Sequence, residues 1–161
     1  MNRKPVVKFN VTGPTALLMN RGPEVFHRHL TAALYEATAI AHGQVASFTP
    51  VGANRAAGIR GSLQSEVYTG ISEMRGRVWT PLPYAEYVEH GTKPHFPPIE
   101  PLEEWGRVIL GKSGLGFILA RAISIRGTRG YGMFARGEKA AKPHIRQRFA
   151  AARRRVEAEL S

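Results

Sequence analysis

EVFHRHLTAALYEATAIAHGQVAS, Glu24 to Ser47, carries apolar residues at Phe26, Leu30, Ala33, Leu34, Ala37, Ile40, Ala41 and Val45, spaced mostly by three and four. That spacing follows the 3.6-residue turn, so the run predicts an amphipathic helix with Arg28, Glu36 and His42 on its other face. Pro23 suits the helix start, where its missing N–H has no intrahelical partner to lose. Gly43 weakens only the last turn, and Thr49-Pro50 end the run. One apolar face this long demands a second layer to cover it.

The flanks supply strands. Val6 to Val11 (VVKFNV) reads as a short strand closed by Thr12-Gly13-Pro14, and residues 14 to 22 as a linker. Ser62 to Thr69 alternates with Leu63, Ser65, Val67 and Thr69 on one face. Arg75 to Thr80 is its antiparallel partner, with Val78 and Trp79 supplying the packing. A hairpin alone is marginal, so it must join other strands or pack on the helix. The fold class that follows is α+β: a small antiparallel sheet of three to five strands packed by the long helix.

Further on, Leu102 to Leu110 predicts a short helix with Leu102, Trp105, Val108 and Ile109 on one side. Phe117 to Arg126 (FILARAISIR) reads as another helix, its β-branched content leaving a strand as the alternative. Gly127 to Gly137 (GTRGYGMFARG) reads as a Gly-rich basic loop. A last helix runs from Glu138 to Leu160 on the stripe Ile145, Phe149, Ala152, Val156 and Leu160, with Pro143 marking where its continuous part begins. Arg146, Arg148, Arg153, Arg154 and Arg155 lie away from that stripe. The whole reads as a single domain: a strand and linker over 1–22, an α+β core over 24–126 with an arm at 92–101, and a basic loop and helix over 127–161.

Composition narrows the partners. The chain of 161 residues has no cysteine, which removes disulfides, thiolate nucleophiles and Cys-ligated zinc. Its N-terminus has too brief an apolar run for a signal peptide, and no stretch approaches a membrane span. The expectation is a protein made in the cytoplasm with no membrane partner. A net charge of +11 invites nucleic acid or an acidic protein. That charge is uneven: residues 105–161 hold thirteen Lys/Arg against three Glu, whereas residues 85–104 hold five Glu against one Lys. An acidic segment beside a basic remainder suits a head-to-tail ring of identical subunits.

The most distinctive run is PYAEYVEHGTKPHFPPIEPL, Pro83 to Leu102. Tyr84, Tyr87 and Val88 fit one face of a single helical turn, and Gly91 ends that turn. Four prolines then fix φ and remove donors, which predicts an extended arm of PPII character from Lys93 to Pro101, with no helix in it. This run resembles the signature of a bacteriophage tail-component family, roughly Y-A-x-Y-V-E-x-G-T followed by prolines. The family comprises neck, or head–tail joining, proteins of long-tailed double-stranded DNA phages. SFTPVGANRAAGIRGSL (Ser47 to Leu63) is similar to a second family segment, and the resemblance continues to Phe134. The family's Asp-Thr-Gly is replaced here by Gly52-Ala53-Asn54, with extra residues before Arg60.

The resemblance implies a structural virion protein of the neck or tail-completion region, assembled in the host bacterial cytoplasm. It implies a homo-oligomeric ring, six- or twelve-fold. The partners would be head-side connector proteins on one side and a tail terminator or tail tube on the other. In that setting Tyr84, Glu86, Tyr87, Glu89, His90, Pro97, Pro98, Glu100, Glu103 and Glu104 form the expected subunit interface. Arg126, Arg129, Tyr131 and Arg136 would meet genomic DNA or an acidic partner.

Chemistry finds little purchase. His90 and His95 are separated by Gly and Pro and share no regular element, which is poor for a metal site. Adjacent Glu103 and Glu104 diverge on a helix, which is poor for acid/base pairing. Gly130 to Ala135 fits only the loose end of a dinucleotide fingerprint, and the Gly/Ala/Arg-rich loop over 51–61, whose composition could cradle a phosphate, lacks a Walker pattern. The reading is therefore no enzyme, with no catalytic residue, no metal and no cofactor. A sequence-independent nucleic-acid-binding module is the alternative, resting on the net charge and on Arg interleaved with Tyr131 and Phe134.

Overall fold

The computed structural model describes residues 7–10, 22–52, 58–70 and 73–160. In chain order the elements are β1 (Val7–Asn10), α1 (Pro23–Phe48), α2 (Ile59–Ser62), β2 (Gln64–Thr69), β3 (Met74–Trp79) and α3 (Ala85–His90). Then follow β4 (Gly91–Thr92), α4 (Ile99–Leu110), α5 (Gly116–Arg126), β5 (Thr128–Arg129) and α6 (Met133–Leu160). The architecture is α+β. The predicted linker over 14–22 lies almost wholly outside the described residues, as do residues 53–57 of the Gly/Ala/Arg loop.

Two compact units divide the chain. One gathers Val6–Ser47, Gln64–Trp79 and Phe134–Ser161; the other is built from Phe48–Leu63 and Thr80–Met133. In the first, β1, β3 and β2 form an antiparallel sheet in that order, with Val7 opposite Val78 and Gln64 opposite Trp79. Met74, Gly76 and Val78 turn one face of β3 inward, as the period of two requires. Phe26, Leu30 and Leu34 of α1, Met74 of β3 and Val156 of α6 make the core, with Val67, Phe149 and Leu160 packed on it. Each such side chain, fully buried, contributes about 1.5–3 kcal/mol of hydrophobic stabilisation.

The helix expected from Glu24 to Ser47 is α1, and its buried face also includes Thr38, whose hydroxyl donates to the Leu34 carbonyl at 2.7 Å. Gly137 allows the close crossing of α6 over α1: a Cβ there would lie 2.7 Å from the Val45 backbone. At the other end of this helix pair, Arg28 and His29 both bond the Glu159 carboxylate and hold it below its ordinary pKa. Arg148 pairs with Glu36 at 3.3 Å. Trp79 lies on the opposite face of β3 from Val78, under the Arg77 guanidinium at 4.7 Å.

Four expectations are corrected. The β2 strand starts at Gln64, because Ser62 closes the α2 turn and bonds the Thr80 hydroxyl at 2.6 Å. The arm ends at Pro98: α4 begins at Ile99, and Pro101 sits in its first turn, where a missing N–H costs no helical bond. The basic loop ends before Met133, so Phe134 to Gly137 are helical. Pro143 lies inside α6, whose continuous part begins ten residues earlier. The cost of an interior proline is about 3 kcal/mol, and the flanking Ala, Arg and Gln are strong helix formers that offset it. For Phe117 to Arg126, helix is the outcome.

Candidate functional site

The second unit turns the distinctive Tyr-rich run into one wall of a groove. α3 is a turn and a half, with Tyr84 at its N-cap and Gly91 at its C-cap. Ala85 and Glu89 point inward, at 0% and 6% exposure, which leaves Tyr84 and Tyr87 outside at 43% and 59%. Gly91 has φ +82°, which only glycine adopts freely, and it passes directly into β4. There it pairs with Arg129, while Thr92 pairs with Thr128. A Cβ on Gly91 would stand 2.2 Å from the Thr128 carbonyl, and one on Gly127 would stand 2.1 Å from the Thr92 carbonyl. Glycine at both positions lets the two segments touch.

That two-residue ladder brings together residues far apart in sequence. Thr128 Oγ1 accepts from the Thr92 N–H at 3.0 Å. The Tyr131 N–H donates to the Val88 carbonyl at 2.8 Å and the Gly132 N–H to the Glu89 carbonyl at 3.0 Å. These bonds satisfy the carbonyls left open at the end of α3 and fix Tyr131 beside it.

The other wall is the α4–α5 hairpin. Gly111 and Gly114, at φ +66° and +80°, make its turn. The Glu103 carboxylate closes the turn, accepting from the Gly114 N–H at 2.5 Å and the Gly116 N–H at 2.7 Å. Those backbone donors hold its pKa below the ordinary carboxylate range.

Between the walls lies an open groove of ≈ 450 Å³. Tyr84, Tyr87, Val88 and Thr92 line one side, and Leu102, Trp105, Leu119 and Ile123 the other. Arg129 and Tyr131 lie at the seam, and Pro50, Val51 and Ile59 also contribute. Arg129 is the one charged side chain among the described lining residues. Three tyrosines, a tryptophan and one guanidinium on mostly apolar walls are a composition suited to gripping a peptide-like surface.

The expected site residues therefore separate. Tyr84 and Tyr87, expected at a subunit interface, and Arg129 and Tyr131, expected to meet DNA or an acidic partner, share one groove. Glu86 is half-buried, His90, Pro98, Glu100 and Glu104 are exposed, and Pro97 is half-buried. Arg126 and Arg136 are exposed. Two members of the acidic set change role. Glu89 is buried and so does not present its charge on the surface, and the Glu103 carboxylate is taken by the α4–α5 turn. Of the groove residues, Trp105 is expected from sequence only on a helix face, and Leu119 and Ile123 are singled out by no sequence signal. Only the β4–β5 pairing sets Trp105 opposite a tyrosine wall.

Among the described residues, no three His, Asp or Glu side chains come together as a metal site would need. His95 Nδ1 lies 2.9 Å from the Lys93 carbonyl. Arg60, one of the two arginines of the Gly/Ala/Arg-rich loop over 51–61, donates from Nε to the Thr49 carbonyl at 3.1 Å. No helix among the described residues is long and apolar enough to cross a membrane. No family model, curated protein or solved structure matches the chain.

Proposed function

We propose that the chain is a structural subunit of a phage neck, forming a homo-oligomeric ring that joins a DNA-filled head to a tail. One observation carries the reading: the Y-A-x-Y-V-E-x-G-T stretch keeps both tyrosines on the surface, at 43% and 59% exposure, as the wall of an apolar groove. Large amphipathic side chains kept at a groove, with one charge beside them, suit the centre of a protein–protein contact. Exposed Glu100 and Glu104, together with exposed Arg126 and Arg129, give identical subunits opposite signs to bring together. Head connector proteins and the tail terminator or tube would occupy the two rims of such a ring. The experiment is electron microscopy of a lysate from a phage with a stop codon in this gene. DNA-filled heads and complete tails lying apart are expected; joined, infectious particles would refute the reading.

A second reading, sequence-independent nucleic-acid binding, draws on the exposed Arg126, Arg136, Arg146, Arg154 and Arg155. It requires that the purified protein retard duplex DNA with a steep salt dependence, since each neutralised phosphate releases counterions. No retardation at about 50 mM salt removes it.

A further inference from the structure

We infer that the groove between α3 and the α4–α5 hairpin receives the proline-rich arm, Lys93 to Pro98, of a second copy of this chain. The inference rests on the ring reading and names the contact that would build the ring.

The groove and the arm have complementary chemistry. A chain in PPII conformation makes no internal backbone hydrogen bonds, so the arm's carbonyls beyond that of Lys93, which His95 Nδ1 meets at 2.9 Å, are left to accept, and its proline rings present flat apolar faces. Grooves that recognise such segments are lined by aromatic side chains carrying a polar tip. Tyr84, Tyr87, Trp105 and Tyr131 supply that lining, with three hydroxyls and one indole N–H. On the arm, Pro94, His95, Phe96 and Pro98 are exposed, Phe96 at 56%, and its ring stands 6.3 Å from the equally exposed Phe117. None of residues 93–98 lines the groove of its own subunit. Six residues extended at the PPII rise would span about 19 Å, and proline's fixed φ angles reduce the entropy lost on docking.

Charge points to the same occupant. Among the described residues, Arg129 in the groove has no carboxylate within 4.0 Å, and Glu100 and Glu104, just beyond the arm, have no cation within that distance. An arm seated with Phe96, Pro97 and Pro98 on the aromatic walls carries Glu100 toward Arg129. Groove and arm are different surfaces of one subunit, so the contact is head-to-tail and propagates until a ring closes.

The test uses the full chain and a fluorescein-labelled peptide of residues 92–100, TKPHFPPIE, followed by fluorescence anisotropy. Saturable binding is expected, weakened about tenfold or more by Tyr87→Ala in the protein, or by Pro97→Ala with Pro98→Ala in the peptide. Glu100→Gln in the peptide should weaken binding less and remove much of its salt dependence. Tyr87 is exposed, so its variant should melt like the wild type, and circular dichroism checks this. No saturable binding up to about 1 mM, or binding indifferent to Tyr87→Ala, overturns the inference.

Mixing gives an independent check by native mass spectrometry. A groove variant (Tyr87→Ala) and an arm variant (Phe96→Ala, Pro97→Ala, Pro98→Ala) should each stay monomeric, yet together form 1:1 pairs that do not grow. If both variants associate like the wild type, the inference fails. Should the peptide fail to bind while Tyr87→Ala still leaves heads and tails unjoined, another protein occupies the groove and the neck reading stands. Peptide binding alongside joined particles in the stop-codon lysate would keep the arm contact and remove the neck reading.

Discussion

At the scale of single residues, two glutamates of the acidic segment show how environment decides role. The sequence places Glu103 beside Glu104 on a helix and says nothing more, because the N–H groups that hold Glu103 belong to a turn eleven and thirteen residues on. Backbone bonds from Gly114 and then Gly116 lower its pKa from the ordinary 4.5. A depressed folded-state pKa adds stability above the unfolded value, and that stability is lost as pH falls below 4.5 through the folded pKa. Glu103→Gln should therefore lower Tm at neutral pH, because an amide offers one acceptor where two N–H groups converge. The difference from wild type should shrink in acid; thermal melts across pH check it, and a gap that stays constant would contradict it. Glu89 is the second case. Its alternation with Tyr87 in Y-V-E is ambiguous on so short a helix, and α3 turns it inward at 6% exposure. Charge reversal at Glu89 should thus unfold the protein, whereas reversal at Glu100 and Glu104 should weaken association and leave the unfolding free energy, read from urea denaturation, within about 0.5 kcal/mol of wild type.

At the scale of elements, the long-period patterns were legible and the shortest pairing was not. The stripe from Phe26 to Val45 and the stripe from Ile145 to Leu160 each run for several turns, so their apolar faces declare themselves, and both reach a common core. Leu34→Ala, at a position with no exposure, should cost about 2–5 kcal/mol, read from urea denaturation. The ladder β4–β5 is two residues on each side, too few for any alternation to register. Its signal lies in Gly91, Gly127 and Gly130, each required by close approach to a facing backbone. Gly91→Ala combines a positive φ with that clash, and should destabilise the ladder by about 1–3 kcal/mol or more. Weaker peptide binding at the groove should accompany that loss of stability; an unchanged Tm would show that the ladder does not hold the groove together. Misplacing the start of α4 has a similar origin. Pro101 reads as a helix breaker unless the first turn, where proline is tolerated, is known to fall there.

For the molecule as a whole, the uneven charge was plain from the sequence, and the surfaces that use it were not. Arg129 and Tyr131 adjoin Arg126 and Arg136 in sequence and read there as part of the basic loop. In the fold they stand beside Tyr84 and Tyr87 and complete an aromatic groove. On the proposed function, this groove is the working surface of a subunit that joins heads to tails. Its most direct test adds purified protein to the stop-codon lysate, which holds separated heads and tails, and counts infectious particles. Wild-type protein should restore infectivity, and folded Tyr87→Ala protein should restore at most about a tenth as much. Equal restoration by the two proteins would contradict the claim.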